Sequence, residues 1–196
     1  MENSDKSLID AHLQGDSTAF GVLVRRYGDN LLSYLTRISG SRELAEDLFQ
    51  ETFKRVHEKA HKFHGSQFKG WLYKIATNVA IDCIRRIRRV RVISLERKGD
   101  CDGENFNISN AVAGVDYTHE PLREAIKTEN QEKVRRAIEL LPARQRATLV
   151  LAYYQQLSYP QVAEVLGCST GTVKTQMYRA LRTLAERLPE ISESIE

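Results

Sequence analysis

Polar and basic side chains that could contact nucleic acid lie close together between positions 169 and 182. No acidic residue interrupts this segment, and the polar positions fall on one side of a helical pattern whose other side is apolar. Lysine and arginine bind phosphates, whereas hydroxyl and amide groups can form hydrogen bonds with base edges in the major groove. The alternative is a helical hairpin with a solvated polar face. The candidate DNA contacts are Ser169, Thr170, Thr172, Lys174, Thr175, Gln176 and Arg179.

Aromatic and basic side chains form a second set between positions 63 and 91. Aromatic rings offer surfaces on which unpaired bases stack, and arginines bind the phosphate backbone beside them. Arginines crowd the stretch from Arg85 to Arg91, where they repel one another unless a polyanion is present. The pattern favours a single-strand contact surface that includes Phe63, Phe68 and Trp71. For Trp71 taken alone, however, a place in the hydrophobic core is the simpler interpretation.

Acidic and amide side chains lie along one side of a predicted helix between positions 43 and 54. They cluster toward the N-terminal end of that helix, where negative charge complements the helix dipole. The residues alone therefore leave two interpretations open, a solvated face and a docking face for a basic or polar partner protein. The set comprises Glu43, Glu46, Asp47, Gln50, Glu51 and Lys54.

His57, Glu58 and His61 match the H-E-x-x-H pattern of zinc proteases. Two histidines one helical turn apart can hold zinc, and the glutamate can serve as a general base. His64 would supply a third ligand only if the helix continued, and Gly65 argues against that. Because so short a pattern often arises by chance, we predict no metal site and no cofactor. A zinc hydrolase is kept as an alternative.

Two helices joined by a short turn are expected to position the first set. Ser158 and Gln161 form a capping box that opens the first helix, and Gly167 suits the left-handed conformation that ends it. Ser169 is the expected N-cap of the second helix. The spacing predicts a helix-turn-helix. The apolar stripe of its second helix is expected to be Val173, Met177, Leu181, Leu184 and Leu188.

Amphipathic helices are also expected over residues 5–14, 41–60 and 68–91. A longer one is expected after Gly15 and Asp16, with an apolar stripe from Phe20 to Ile38, and Ser39 and Gly40 end it. Helical periodicity disappears from Ser94 to about His119, where glycine, asparagine and aspartate are frequent. It resumes near Pro121, and two helices precede the helix-turn-helix. The predicted fold is all-α, with two small helical domains joined by a flexible linker and the helix-turn-helix at the end of the second. The expected boundaries are 1–92, an acidic linker at 93–128, 129–190, and an acidic tail at 191–196.

Composition supports a helical protein that contacts a polyanion. The 196 residues are 41% hydrophobic and include only 4 prolines and 11 glycines. The net charge of +3 is unevenly distributed, because both predicted domains are basic and the linker is acidic. Three cysteines without a C-x-x-C motif fit a reducing compartment. With neither a signal peptide nor a membrane-spanning run in the sequence, we expect a cytoplasmic protein.

Four segments of the chain carry a family resemblance: AEDLFQETF at 45–53, FKGWLYKIATNVAIDCIRR at 68–86, LPARQRATLVL at 141–151 and LSYPQVAEVLGCSTGTVKTQMYRAL at 157–181. In this order and spacing they resemble the extracytoplasmic-function (ECF) group of bacterial sigma factors. The resemblance covers nearly the whole chain. It implies a protein that is not an enzyme, joins RNA polymerase core, directs it to a promoter and opens the DNA.

The resemblance also implies a role for each set of residues. Four members of the set on the third predicted helix, called the acidic set below, would bind the clamp helices of the largest polymerase subunit: Glu46, Asp47, Gln50 and Glu51. The flap region would be a second contact. The helix-turn-helix would bind the −35 element of promoter DNA as a duplex, and the linker would run through the polymerase toward the RNA path. An anti-sigma protein, which holds many members inactive, is a further candidate partner. The −10 element would be bound as a melted strand with a flipped base by Phe63, Phe68, Trp71, Lys74, Asn78, Arg85 and Arg86.

This sequence departs from the family pattern at a few positions. Gln176 stands where an arginine is common, and Gln161 replaces a frequent glutamate. The loop at 64–67 lacks an acid that many members have, so the base preference at −10 does not carry over. A different class of function, a stand-alone helix-turn-helix regulator that binds a palindrome as a dimer, is the second hypothesis. The sequence offers neither a dimerisation heptad nor a ligand motif for it.

Overall fold

All regular structure is helical in residues 4–65, 67–97 and 132–188, the part of the chain that the computed structural model describes. The all-α prediction is therefore confirmed. The helices are α1 (Asp5–Leu13), α2 (Ser17–Ser39), α3 (Arg42–Lys59), α4 (Phe68–Arg97), α5 (132–139), α6 (Ala143–Leu149), α7 (Tyr159–Leu166) and α8 (Thr170–Arg187). A 3₁₀ turn, Ala60–Lys62, follows α3, and a π-helical turn, Val150–Tyr154, continues α6.

Side-chain caps begin the N-terminal helices. The Oγ of Ser4 accepts a hydrogen bond from the Ser7 amide, Asp16 caps α2 through the Thr18 amide, and Ser41 caps α3 through the Leu44 amide. Gly40 ends α2 at a φ of 78°, in the left-handed region that glycine adopts without a steric cost. These local signals determine where α1, α2 and α3 begin and where α2 ends, and α3 carries the acidic set.

The apolar stripes expected for α2 and α3 face inward and pack against α4. Leu23, Leu31 and Leu35 of α2 are fully buried, as is Val56 of α3. The helix α4 continues through residues 93–97, which the sequence pattern assigned to the linker, and the next glycine in the sequence is Gly99. Most of the predicted linker, from 98 to 128, and the tail at 191–196 lie outside the described residues.

The helix-turn-helix forms as expected, with a turn of Gly167, Cys168 and Ser169 between α7 and α8. Both partners of the capping box are present at Ser158 and Gln161, and Gly167 has a φ of 62°. The expected apolar stripe of α8 is wrong at one position, because Leu181 is 52% exposed and Ala180 is fully buried. Two successive steps of four residues turn about 80° past the starting face of a helix, so Leu181 leaves the face that Val173 begins.

The N-terminal region (residues 4–97) and the C-terminal region (residues 132–188) pack against each other. The helix α7 lies against α4, α6 contacts both α2 and α4, and the π-helical turn contacts α2. Buried side chains from both regions belong to one continuous hydrophobic cluster. Whether the two regions are separate domains, with the boundaries expected from the sequence, stays a prediction.

Candidate functional site

The polar face of α8 is open to solvent. Ser169, Thr170, Thr172, Lys174, Thr175 and Arg179 are exposed, and Gln176 is half-buried. The helix keeps this face outward because Val173, Met177 and Ala180 anchor its opposite side in the core. The predicted contact residues thus share one accessible surface of α8.

Three hydroxyl groups of that set are already engaged in local hydrogen bonds. The Ser169 Oγ accepts a hydrogen bond from the Thr172 amide at 3.1 Å and lies 3.0 Å from the Thr172 Oγ1. The Thr175 Oγ1 donates to the Gly171 carbonyl at 3.0 Å. Lys174 and Arg179 are the exposed cations of the set, and neither has an ion-pair partner among the described residues. They are therefore available to phosphates without first breaking an ion pair.

The acidic set lies along the outer side of α3. Glu46, Asp47 and Gln50 are exposed, and Glu51 is half-buried. Glu46 accepts a hydrogen bond from Arg42 at 2.9 Å, and Glu51 accepts one from Arg55 at 2.7 Å, each across one helical turn. Such exposed pairs contribute little to stability, about 0.3–0.5 kcal/mol. A competing cation on a partner protein can displace them at low cost.

The aromatic set forms a cluster of tilted and edge-to-face rings at the start of α4 and in the loop before it. The Trp71 ring lies 5.2 Å from the Phe63 ring and 5.8 Å from the Phe68 ring, measured between centroids. Phe68 is fully buried and Phe63 is 8% exposed, whereas Trp71 is half-buried. In this conformation Trp71 is the member that reaches the surface, and the two phenylalanines support it from below. The stacking role of all three stays a prediction.

Basic and polar side chains extend from Trp71 along α4. Lys74, Asn78, Arg85 and Arg86 are exposed. Lys74, Asn78 and Arg85 recur at near-integral numbers of helical turns, so they lie along one side of the helix with Trp71. The residues predicted to bind the −10 strand therefore lie on α4 and in the loop before it. Their exposed members are Lys74, Asn78, Arg85 and Arg86.

A cleft of about 410 Å³ lies where this surface meets the C-terminal region. Lys62, Phe63, Trp71 and Lys74 line it from the N-terminal region, and Glu164 of α7 lines it from the other side. A second cavity of about 210 Å³ continues along the same junction between Phe68, Lys69, Leu157 and Gln161. Three of the predicted strand-binding residues, Phe63, Trp71 and Lys74, therefore line a cleft that Glu164 of α7 also lines.

The H-E-x-x-H residues are separated by the end of a helix. The helix α3 ends at Lys59, and His61 lies in the following 3₁₀ turn. His57 Nδ1 instead lies 3.0 Å from the Nε2 of His12, so one ring donates to the other. Burial and the neighbouring His57 together lower the pKa of His12. No group of three or more histidine, cysteine, aspartate or glutamate side chains suited to a metal ion occurs among the described residues.

Three buried polar residues that connect the regions were not anticipated from the sequence. The Tyr73 hydroxyl donates to Gln155 Oε1 at 2.5 Å, and Arg146 donates to the Ile38 carbonyl at 2.8 Å. Burial raises the pKa of Tyr73 well above the usual tyrosine value, so the hydroxyl keeps the proton that it donates. For Arg146 a signal existed, because a charged residue at a core position between Leu141 and Leu149 requires buried acceptors.

Family models match both regions of the chain. The Sigma-70 region 2 family matches residues 23–90, and the Sigma-70, region 4 family matches residues 131–184. The first span contains the acidic and aromatic sets, and the second contains the helix-turn-helix. Separately, no helix within the described residues combines the length and hydropathy needed to cross a membrane.

Two curated relatives are similar over almost their whole length. The ECF RNA polymerase sigma-E factor of Haemophilus influenzae is 30% identical over 190 residues, covering 94% of this chain and 95% of that protein. The ECF RNA polymerase sigma factor SigW of Bacillus subtilis is 31% identical over 192 residues, covering 97% of this chain and 100% of that protein.

Solved structures share the fold. The sigma factor RpoE of Bartonella quintana, crystallised with the anti-sigma factor NepR, matches with a TM-score of 0.64 and 26% identity. That match covers 87% of this chain and 97% of the RpoE chain. CnrH, solved with the cytosolic domain of CnrY, matches with a TM-score of 0.65 and 23% identity over 95% of this chain and 98% of its own, and this likeness concerns the fold alone.

Proposed function

The chain belongs to the ECF group of RNA polymerase sigma factors, and from that premise we propose which of its surfaces perform each step of promoter recognition. The protein directs promoter-specific transcription initiation. In our proposal α3 binds the polymerase core, the start of α4 and the preceding loop bind the melted −10 strand, and α8 binds the −35 duplex. The observation that carries the proposal is that three chemically distinct sets of side chains, each with exposed members, lie on separate helices of one chain.

For core binding we propose the exposed side of α3 formed by Glu46, Asp47, Gln50 and Glu51, with the clamp helices of the largest subunit as its partner. The exposure of this side and its weak intrahelical ion pairs support the assignment. The polymerase flap region is the proposed partner of the C-terminal region. Sigma factors are not enzymes, and we assign no catalytic residue, metal or cofactor.

For the −10 element we propose that Trp71 stacks on an unpaired base while Lys74, Arg85 and Arg86 contact the phosphate backbone. Flipping a base out of the duplex costs a few kcal/mol, and stacking on an aromatic ring is worth about 1–3 kcal/mol per base. The free energy gained by stacking is similar in size to the cost of flipping, so Trp71, supported by Phe63 and Phe68, can offset most of that cost. Asn78 supplies the hydrogen bonds to a base edge.

For the −35 element we propose that the N-terminal half of α8 enters the major groove. Thr170, Thr172 and Gln176 face the base edges, and Lys174 and Arg179 contact phosphates. Ser169 and Thr175 border this surface, although their hydroxyls also stabilise the helix. This division follows the usual placement of a recognition helix, whose first turns approach the bases.

Charge reversal on α3 tests the core-binding assignment. Asp47→Lys combined with Glu51→Lys would place two positive charges on the proposed docking side. We expect loss of co-purification with core polymerase and loss of transcript from a matching promoter in a reconstituted assay. The fold should survive, because both side chains lie outside the hydrophobic core.

The matched control is Asp10→Lys with Asp29→Lys, an equal charge change at exposed positions of α1 and α2. Undiminished core binding by the α3 variant would remove the assignment. Equal loss in both variants would mean that total charge, rather than this surface, controls assembly.

An anti-sigma factor and a cytoplasmic location complete the proposal. The RpoE relative was solved bound to an anti-sigma factor, and we propose a partner of that class for this chain.

Transcription takes place where the chromosome is, so we propose that the protein acts in the cytoplasm. No observation favours the stand-alone regulator or the zinc hydrolase.

A further inference from the structure

Asp5, the first residue of α1, forms hydrogen bonds with two neighbouring residues of α2. Its Oδ1 accepts a hydrogen bond from the Arg26 guanidinium, and its Oδ2 accepts one from the Tyr27 hydroxyl, each at 2.5 Å. The Asp5 side chain is 19% exposed, so water competes little for its oxygens. Because both oxygens are bound by donors on one helix, the carboxylate has a fixed orientation, and it fixes the orientation of the Tyr27 hydroxyl.

Tyr27 connects this contact to the aromatic set. Its ring centroid lies 5.3 Å from that of Phe68. Phe68 is fully buried, and its own centroid lies 5.8 Å from that of Trp71 and 5.6 Å from that of Phe63. Burial first and Asp5 second raise the pKa of Tyr27 above the usual tyrosine value, so the hydroxyl keeps the proton that it donates. A ring anchored on α1 therefore packs against the buried centre of the aromatic set.

The packing around Phe68 leaves a role for this anchor. Phe68 and Asp5 line the same cavity of about 210 Å³, so close-packed side chains do not enclose Phe68 on every side. The helix α1 packs against α2 and against the 3₁₀ turn that precedes Phe63. A shift of Phe68 toward the cavity would move the support of Trp71, and a fixed Tyr27 ring opposes that shift.

From this geometry we infer that Asp5 is a positioning residue for binding of the −10 strand and acts through the Tyr27 hydroxyl. Held by Asp5, the Tyr27 ring keeps Phe68 where it supports Trp71. The inference rests on the −10 role proposed above for Trp71. It extends that role to α1, a helix that carries no proposed contact with DNA or polymerase and lies before residue 23, where the Sigma-70 region 2 match begins.

The measurement is made on the holoenzyme, the full chain bound to core polymerase. Labelled promoter fragments present the −10 strand already unpaired, each −10 position is made abasic in turn, and fluorescence anisotropy gives the affinity for every fragment. In the unmodified holoenzyme, loss of the stacked base should weaken binding by about 5–150-fold, the range for stacking one base on an aromatic ring. This ratio of two affinities reports stacking, because a loss of folded protein would affect both fragments equally.

Two variants interrupt the contact from either side. Tyr27→Phe removes only the hydroxyl, and Asp5→Ala removes its acceptor. Each should lower the abasic ratio by about 3-fold or more, within the range of coupling between residues in contact, while co-purification with core polymerase stays unchanged. The double variant should lower the ratio little further than the stronger single variant, because both changes break the same connection. Additive losses would show that Asp5 does not act through Tyr27 and would overturn the inference.

Two control variants separate positioning from loss of stability. Tyr34→Phe removes another buried hydroxyl contact of α2, the one at 2.6 Å with Thr77, and its ring packs on Tyr73 instead of the aromatic set. Asp10→Ala repeats the Asp5 substitution at an exposed position of α1. Both controls should keep the abasic ratio of the unmodified chain. An equal decrease in Tyr34→Phe and Tyr27→Phe would overturn the inference, and so would an unchanged ratio in Tyr27→Phe or in Asp5→Ala.

Trp71→Ala distinguishes this failure from failure of the proposed function. If the −10 role is correct, Trp71→Ala removes most of the effect of the abasic position. That result together with unchanged ratios in Tyr27→Phe and Asp5→Ala would reject the positioning role alone. Equal affinity for intact and abasic fragments at every −10 position in the unmodified holoenzyme would reject the proposed function and the inference together.

Discussion

Arg146 illustrates how a single buried side chain links helices that are distant in sequence. It is 5% exposed, yet its guanidinium donates to the carbonyls of Ile38, Leu141 and Glu139. Ile38 belongs to the last turn of α2, and Glu139 is the last residue of α5, so the cation lies near the partial negative charge at two helix ends. A buried charge is tolerated only where such acceptors surround it. Arg146 therefore fixes where α2, α5 and α6 meet.

His12 gives a prediction about pH. Its pKa is lowered, by burial first and by the neighbouring His57 second, and the ordinary value is 6.5. The unfolded chain therefore takes up a proton at higher pH than the folded chain does. The free energy of unfolding should fall as the pH drops below about 6.5, and the loss should level off below the pKa of the folded state. Thermal denaturation at about pH 7.5 and about pH 5.5 measures the effect.

His12→Asn should reduce that pH dependence, because it removes both the shifted group and its contact with His57. His64→Asn is the matched control, since His64 is an exposed loop histidine. A pH dependence that is identical in the two variants would show that the pair formed by His12 and His57 does not contribute.

At the scale of elements, local sequence signals were sufficient to predict the helix-turn-helix. The capping box at Ser158, the left-handed Gly167 and the N-cap Ser169 all lie within a few residues of the structure that they determine. The prediction of α8 was wrong only for Leu181, where the choice between Leu181 and Ala180 depends on helix phase. Hydrophobicity favours the leucine, but the accumulated rotation of the helix turns it to solvent.

The turn glycine of the helix-turn-helix gives a prediction at this scale. Gly167 has a φ of 62°, and an added Cβ would meet no atom within 4 Å, so an alanine there is opposed by backbone conformation rather than by crowding. Gly167→Ala should lower the free energy of unfolding by about 1–2 kcal/mol. Denaturant titration followed by circular dichroism provides the measurement.

Gly28→Ala is the matched control, because Gly28 lies inside α2 with helical φ and its added Cβ would meet Phe49 at an ordinary contact distance of 3.7 Å. This variant should be more stable than the unmodified chain by about 0.5–1 kcal/mol. If both substitutions destabilise the protein, a cause other than the sign of φ opposes alanine at these positions.

At the scale of the whole molecule, the junction of the two regions could not be predicted from the sequence. The contacts that form it, such as Tyr73 with Gln155 and Arg146 with Ile38, join positions 82 and 108 residues apart. Periodicity and capping describe neighbours within one helix, and they carry no information about which helices meet across a long connection. The predicted sets on α3 and α8 lie on outer faces of the structure, whereas the −10 set lies partly at this junction.

The two proposed DNA-binding surfaces differ in exposure, and this gives the last prediction. Lys174 and Arg179 are exposed, whereas Trp71 is half-buried and lines a cleft together with Glu164 of α7. The free chain should therefore bind a −35 duplex through phosphate contacts on α8. Removing one phosphate contact with Lys174→Ala should weaken duplex binding and reduce the slope of log affinity against log salt by about one.

Lys6→Ala, at an exposed lysine on α1, is the control and should change neither the affinity nor the slope. Fluorescence anisotropy over a series of salt concentrations measures the slope for the unmodified chain and for each variant. A slope unchanged by Lys174→Ala would mean that α8 meets the duplex through another face. The free chain would then have no accessible −35 surface of the kind proposed.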